Sequence, residues 1–543
     1  MDTVITILLL LVAVVASETL ARWSRMPLPL VQIALGALLA LSFVPTVVLD
    51  PEIFFVLFLP PLLFLDGWRI PKDDLRRDRA IVVELALGLV ILTVVCLGFL
   101  VHWLIPSMPL QVAFALAAVV SPTDPVAFAA VAARSRIPKR MMHILEGESL
   151  LNDASGLVCL RFAVAAMLTG SFSLSAAVLT FVWVALGGLA IGIGVTWLAA
   201  RAKQWVARRL GEHTGAQILV SLLIPFGAYI AAERLHCSGI LAAVAAGLTM
   251  GFTERSGNAL AATRVRRAAV WDVVQFATNG VIFVLLGEQM PGILGKAIDT
   301  VRESGHREAW WLAVYVLAIV AVLAVLRFAW VWTSLRLTLY RAARRGDPPR
   351  RVGLRVVLAM SLAGVRGAVT LAGVLTLPFT LADGTAFPAR DLAIFLAAGV
   401  ILVSLILASI GLPPLLKNLE LPAEPSLQAE IDRARLLAAQ RAIRAIEAAQ
   451  HEMGAGKPDA YIYTDASARI MEIYRQRIDS QEDDAEALAL DRRIDGIERQ
   501  LHLAGLRAER AEIFRLARAR ELNDEAATRV IREIDLLEAR YEP

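Results

Sequence analysis

This chain has little cysteine, little histidine and little charge for its length. Its 543 residues include 3 cysteines and 7 histidines, and 19% are Asp, Glu, Lys or Arg. Cys96, Cys159 and Cys237 lie in or beside apolar segments without zinc-ligand spacing, which argues against a disulfide framework and a metal site. His102, His143 and His236 sit at the edges of apolar runs and form no cluster. No Gly-rich nucleotide-binding loop is present, which excludes a primary pump of that type. The N-terminus lacks the basic start of a signal peptide: Met1-Asp2 opens with an acid, and Ala16-Ser17-Glu18 is a poor cleavage site. The first apolar run is therefore expected to be kept as a membrane helix.

What the chain does have is apolar length. It is 57% hydrophobic with a mean hydropathy of +0.62, the composition of a polytopic membrane protein. Runs of spanning length occur at roughly 3–20, 27–45, 50–66, 80–104, 109–132, 142–168, 173–200, 214–232, 237–252, 268–290, 309–335, 354–380 and 390–416, which predicts about thirteen helices at roughly 20 residues per crossing.

The loops carry an independent signal. Odd-numbered loops are basic, from Arg22 and Arg25, through the cluster Arg69, Lys72, Arg76, Arg77 and Arg79, to Arg341, Arg344, Arg345, Arg350 and Arg351. Even-numbered loops are nearly bare, with Arg234, Lys296, Arg302, Arg307 and Arg390 as exceptions. Under the positive-inside rule the N-terminus is expected outside and the C-terminus in the cytoplasm. Beyond Leu416, Pro422 and Pro425 bracket a linker. Residues 427–543 are then charged and helical in pattern, with Ile443 and Ile446, and Val530, Ile531, Ile534 and Leu537, at helical spacing. This predicts a cytoplasmic tail of amphipathic helices, either a structural appendage or a regulatory one.

Two acids stand where apolar sequence surrounds them. Asp124 lies in Ser121-Pro122-Thr123-Asp124-Pro125, and Asp153 in Glu148-Ser149-Leu150-Leu151-Asn152-Asp153. A charge at bilayer depth costs several kcal/mol, so such residues face wet cavities and handle ions or protons. Pro125 cannot donate a backbone N–H and Pro122 biases Ser121 away from helical geometry, so the helix should be interrupted beside Asp124. Irregular backbone is tolerated at that depth only in protein or around a cavity, and secondary transporters build ion sites from such broken helices. Asp153, Asp124, Thr123, Ser149 and freed carbonyls offer oxygens to a dehydrated cation, and Asn152 adds a neutral acceptor. Ser149 and Asp153 share a helix face at i and i+4. Burial disfavours an ionised carboxylate and a bound cation favours it, so one Asp can hold either a proton or a metal ion.

Other buried charges need partners. Glu148 and Arg366, the latter in Gly364-Val365-Arg366-Gly367, are expected to form a structural ion pair. Arg161 and Arg327 are further intramembrane arginines, read as snorkelling or paired, or as direct participants in transport. Asp66 in Phe64-Leu65-Asp66-Gly67-Trp68 is either the mouth of an access funnel or an interfacial residue. An intramembrane aspartyl protease would also use two aspartates, but its Gly-x-Gly-Asp motif is absent. A channel would require a ring of ligands.

Ser-Pro-Thr-Asp-Pro at 121–125, Gly-Glu-Ser-Leu-Leu-Asn-Asp at 147–153 and Gly-Val-Arg-Gly-Ala-Val at 364–369 resemble the monovalent cation:proton antiporter-1 family, the sodium/hydrogen exchangers. The resemblance covers roughly residues 5–416 and implies an all-α antiporter fold of thirteen helices with inverted repeats. It further implies a homodimer in the inner membrane, with core ion-binding helices around 80–168 and 309–380, dimerisation helices elsewhere, and the tail at 417–543. In that family's terms Asp153 is the main ion-binding carboxylate, Asn152 its helix-stabilising neighbour, and Thr123, Asp124 and Ser149 are supporting ligands. Na⁺ would lie at Asp153 and Asp124, and Glu148–Arg366 would be the structural pair. An Asn-Asp pair implies electroneutral exchange of one proton per cation, with K⁺ as the alternative to Na⁺. No cofactor or nucleic acid is expected beyond the transported ions and the bilayer. Two departures stand out: Leu65 occupies a position where exchangers often carry an acid, and Asn279 opens a stretch that begins with an acid in animal exchangers.

Overall fold

The structure is a computed structural model that describes residues 2–41, 51–70, 72, 79–132, 137–169, 174–211, 213–254, 261–303, 310–344, 353–381, 384–417, 427–455, 460–479, 485–519 and 521–541. Several of the basic loop residues that orient the chain, including Arg76, Arg77, Arg134, Arg136 and Arg350, lie outside them.

Helix occupies every one of the thirteen apolar segments. The order is α1 (Asp2–Ser24), α2 (Leu28–Ala40), α3 (Pro51–Arg69), α4 (Arg79–Val83) continuing through a π-helical turn at Glu84–Leu89 into α5 (Val90–Leu104), α6 (Leu110–Val120) and α7 (Pro125–Val131). Then follow α8 (Lys139–Thr169), α9 (Leu174–Leu210), α10 (Thr214–Arg234), α11 (Gly239–Glu254), α12 (Ala261–Glu303), α13 (Trp311–Arg344), α14 (Leu354–Leu362), α15 (Ala368–Leu375) and α16 (Arg390–Leu416). By length and apolarity 8 described helices can each cross a membrane, and the bent pair α6–α7 makes up to 9. Four expected crossings, α3 among them, are outside that count, and three of the four fail the test for a physical reason. α2 and α11 are short apolar helices, while α14 and α15 are halves of one segment broken by 363–367.

The breaks fall in the fifth and twelfth segments, and they position the site. α6 ends at Val120, and α7 restarts with Pro125 at its first position, where a missing N–H is harmless. The axis bends by 55° between them. Ser121 keeps helical dihedrals (φ −71°, ψ −45°), contrary to the sequence expectation, and the extended geometry is at Asp124 (φ −110°, ψ 108°). The bias imposed by one proline is weaker than the packing around Ser121, which is buried.

The core runs through these elements. Ala113, Ala115, Ala117 and Ala118 of α6 are fully enclosed, and their small side chains let neighbouring helices approach closely. Gly156 of α8 does the same against the broken segment, where a Cβ would run into the Pro122 ring.

Residues Pro422–Pro543 form a separate compact unit. Its helices pack in pairs: α17 (Leu427–Gly454) with α18 (Ala460–Asp479), and α19 (Ala485–Arg518) with α20 (Asp524–Tyr541). In the second pair the buried Glu538 receives Arg507 at 3.3 Å and Arg510, and Arg510 also reaches Asp535 at 3.1 Å.

Candidate ion-binding site

The two breaks cross and cap one another. Asp124 is the N-cap of α7: its Oδ1 accepts from the backbone N–H of Val126 (2.8 Å) and Ala127 (3.0 Å). Its Oδ2 accepts from Ala368 N–H (3.2 Å), the first residue of α15. The Asp124 N–H in turn donates to the Val365 carbonyl at 2.7 Å. One carboxylate therefore serves the positive ends of two half-helices. Gly367 makes this possible, because a Cβ there would overlap the Asp124 carboxylate.

Arg366 completes the crossing with the opposite charge. Its Nε donates to the Val120 carbonyl at the end of α6 (2.9 Å), and its guanidinium also donates to the Gly364 carbonyl. Its backbone N–H bonds Ser404 Oγ at 3.2 Å. The helix C-termini carry partial negative charge, which a buried guanidinium offsets.

This changes the expected ion pair. Glu148 is bound by Arg327 and not by Arg366: Nη1 to Oε1 is 2.5 Å and Nη2 to Oε2 is 2.9 Å, a bidentate fork between side chains 1% and 2% exposed. Arg327 Nε also donates to the Met360 carbonyl at 3.0 Å. Arg366 is engaged by the carbonyls that the breaks release, so the other buried arginine is left to balance Glu148. The sequence reading favours Arg366 over Arg161 and Arg327, and the choice fails because sequence does not show which carbonyls the breaks release to each arginine.

From Glu148 the network reaches α8's polar face. Thr123 Oγ1 donates to Glu148 Oε1 at 3.3 Å and accepts from Asn152 Nδ2 at 3.1 Å. Asn152 Oδ1 is buried without a partner. Asn152 thus ties α8 to the broken segment and stands behind the cavity wall rather than on it.

Asp153 does face a cavity. With only 3% exposure it lines a space of about 20 Å³, room for roughly one water-sized particle. Asp124, Asp66, Ser149, Thr123 and Thr370 share the walls. Ser149 lies one helical turn before Asp153 on the same face of α8, and Asp66 and Asp124 share the cavity with it. Asp66 lines this cavity too. Its helix is held by Phe64 stacked on Trp271 at 5.2 Å and by Trp68 Nε1 donating to Glu254 at 2.7 Å.

Gln275 and Asn279 of α12 complete the wall. Their roles were missed in the sequence, although polar residues at i and i+4 in an apolar span share one face and mark it. Gln275 also accepts from Arg69 at 2.7 Å. Arg161 lies away from this cavity and pairs with Glu233 at 2.8 Å.

Buried carboxylates, crossed half-helices and a cavity of ionic size form an arrangement for binding a small cation. Comparison with known proteins agrees. Residues 7–418 match the profile of the sodium/hydrogen exchanger family, transmembrane. The chain belongs to the sodium/hydrogen exchanger family. It is 42% identical over 550 residues to the uncharacterized Na⁺/H⁺ exchanger YjcE of Escherichia coli K12, covering 99% of each chain. A sodium, potassium, lithium and rubidium/H⁺ antiporter of Bacillus pumilus is 37% identical over 551 residues, 100% of this chain and 78% of the relative. Among solved structures, the sodium proton antiporter MjNhaP1 of Methanocaldococcus jannaschii shares the fold, with a TM-score of 0.55 at 18% identity over 77% of this chain and 99% of that one. The chain is therefore a cation/proton antiporter and not an enzyme, and the aspartyl-protease reading is not favoured.

Proposed function

We propose that the chain exchanges cytoplasmic Na⁺ for H⁺ by alternating access, with the two ions competing for Asp153. The observation that carries this reading is the contrast in hydrogen bonding around the cavity. Asp124 accepts three backbone N–H bonds, whereas Asp153 has a side-chain hydroxyl beside it and faces open space. A carboxylate with acceptor capacity left over can take a proton, or it can take a cation with Thr123, Ser149 and Asp66 as further oxygens. Both cannot be held at once, because a bound cation favours the ionised form and protonation removes the charge that holds the cation.

Each crossing then moves one positive charge in either direction, so one-for-one exchange at a single carboxylate is electroneutral. Na⁺ is the principal cation of this proposal. K⁺ is the second reading, favoured by the cation range in the name of the Bacillus pumilus relative. The chain would work as a homodimer in the inner membrane, N-terminus outside and C-terminal helices in the cytoplasm, in the service of pH homeostasis. The alternation of basic loops supports that orientation.

Dye-monitored exchange in everted membrane vesicles with Na⁺, Li⁺, K⁺ and Rb⁺ across pH tests the proposal. Competition predicts that the cation KM rises as pH falls, while saturating cation restores the rate. A KM independent of pH would contradict a shared site, and a higher kcat/KM for K⁺ than for Na⁺ would reassign the cation.

A further inference from the structure

A second cavity lies beyond the site, at the opposite end of α8 from Arg140. It measures about 590 Å³ and is walled by Leu157, Leu160, Arg161 and Val164 of α8, Tyr229 and Glu233 of α10, and neighbouring residues that include Val56 of α3 and Thr376 after α15. α3, α8 and the segment after the twelfth-span break thus border both cavities. Asp153, Leu157 and Arg161 follow one stripe of α8 at i, i+4 and i+8. Leu157, 2% exposed, lies one turn beyond Asp153 on this stripe and lines the larger space.

Across this cavity runs one ion pair. Arg161 Nη2 reaches Glu233 Oε1 at 2.8 Å, and the same oxygen accepts the Gly239 N–H at 3.0 Å, which fixes the carboxylate on the far wall. α8 and α10 hardly pack on each other elsewhere. Arg161 stands about 12 Å along the axis from Asp153 on the same rigid helix, at 1.5 Å per residue. Any motion that turns Asp153 toward the larger cavity carries Arg161 with it and stretches the pair, because Glu233 is held by a different element.

We propose that Arg161–Glu233 is a strap that keeps the site closed toward the outer cavity, and so sets how the cycle divides between inward- and outward-facing forms. This rests on the alternating-access reading above. Arg161 and Glu233 are positioning residues here, acting on Asp153 through the rigid body of α8. With side chains 41% and 34% exposed, the pair is of the kind that shifts an equilibrium about 2- to 5-fold. That is enough to bias a transporter without locking it.

The test compares the two faces of the membrane. Cation-driven proton flux of the full-length chain is measured with Na⁺ presented to the cytoplasmic face in everted vesicles and to the outer face in right-side-out vesicles. Glu233→Gln should raise the cytoplasmic-face KM and lower the outer-face KM, each about 2- to 5-fold. Damage to the site or to folding would move both the same way. The exchange Arg161→Glu with Glu233→Arg should bring the ratio of the two KM values back toward that of the unmodified chain. If Glu233→Gln misfolds, Arg161→Gln carries the test, since it removes the pair and leaves the Glu233–Gly239 bond in place: opposite shifts of the two KM values support the strap, and equal shifts or none overturn it. Equal KM changes at both faces, or none, would also overturn it. Absence of cation-driven flux in the unmodified chain would instead overturn the antiport reading.

Discussion

Asp124 and Asp153 border the same cavity, yet the protein treats them differently. The first has its lone pairs engaged by Val126, Ala127 and Ala368 N–H groups and is matched by Arg366 on the carbonyls of the same crossing. Glu148, a few residues before Asp153, is likewise saturated by the Arg327 fork. Asp153 has a hydroxyl and a cavity instead. A buried charge whose hydrogen-bonding capacity is filled by protein holds the fold together, and one left partly unfilled is free to bind what the fold carries.

The contrast can be broken most severely at the saturated side. Arg327→Met leaves Glu148 buried and uncompensated, which should cost about 3–5 kcal/mol of stability. Thermal melting of the detergent-purified chain should show that loss, and Glu148→Gln in the same background should recover much of it. A wild-type melting temperature for Arg327→Met alone would mean that the fork contributes nothing.

A milder break is Asp124→Asn. The amide keeps one acceptor oxygen for α7 but removes the charge at two helix N-termini, a loss of about 0.5–2 kcal/mol. Exchange should be weakened through a raised cation KM and still be pH-coupled. Complete loss of exchange at unchanged stability would make Asp124 a transporting carboxylate and erase the division of roles.

The smallest effect is expected at Asp66, whose charge acts on Asp153 from across the cavity. Asp66→Asn should raise the cytoplasmic-face cation KM a few-fold, roughly as one charge of local steering is removed, while leaving kcat in place. A fall in kcat at constant KM would place Asp66 in the translocation step.

Much of this was legible in the sequence, for identifiable reasons. The thirteen apolar runs each fall on helix among the described residues, 8 or up to 9 of them long and apolar enough to cross a membrane, because the bilayer imposes length and polarity on local sequence. Pro125 and the acid before it marked the first break. The second break had no proline, and glycines beside Arg366 fit a close helix approach as well as a break; the reason for Gly367 became visible only when the Asp124 carboxylate was found against it. The pairing of Glu148 was beyond reach, since Arg327 and Arg366 are equally buried arginines in sequence and differ only in which carbonyls surround them in space. Gln275 and Asn279 went unassigned because an uncharged side chain in an apolar span carries a weak signal. The role of Arg161 depends on Glu233, 72 residues away.

The division of labour itself is tested most directly by comparing Asp153→Asn with Asp124→Asn in the same proteoliposomes. Proton flux driven by a Na⁺ gradient and the melting temperature would be read for each. Asp153→Asn should abolish exchange and leave the melting temperature at or above that of the unmodified chain, since it removes a buried carboxylate that forms no ion pair among the described residues. Asp124→Asn should lower the melting temperature and retain measurable exchange. Full exchange by Asp153→Asn, or its collapse in stability with transport preserved in the folded fraction, would contradict the account.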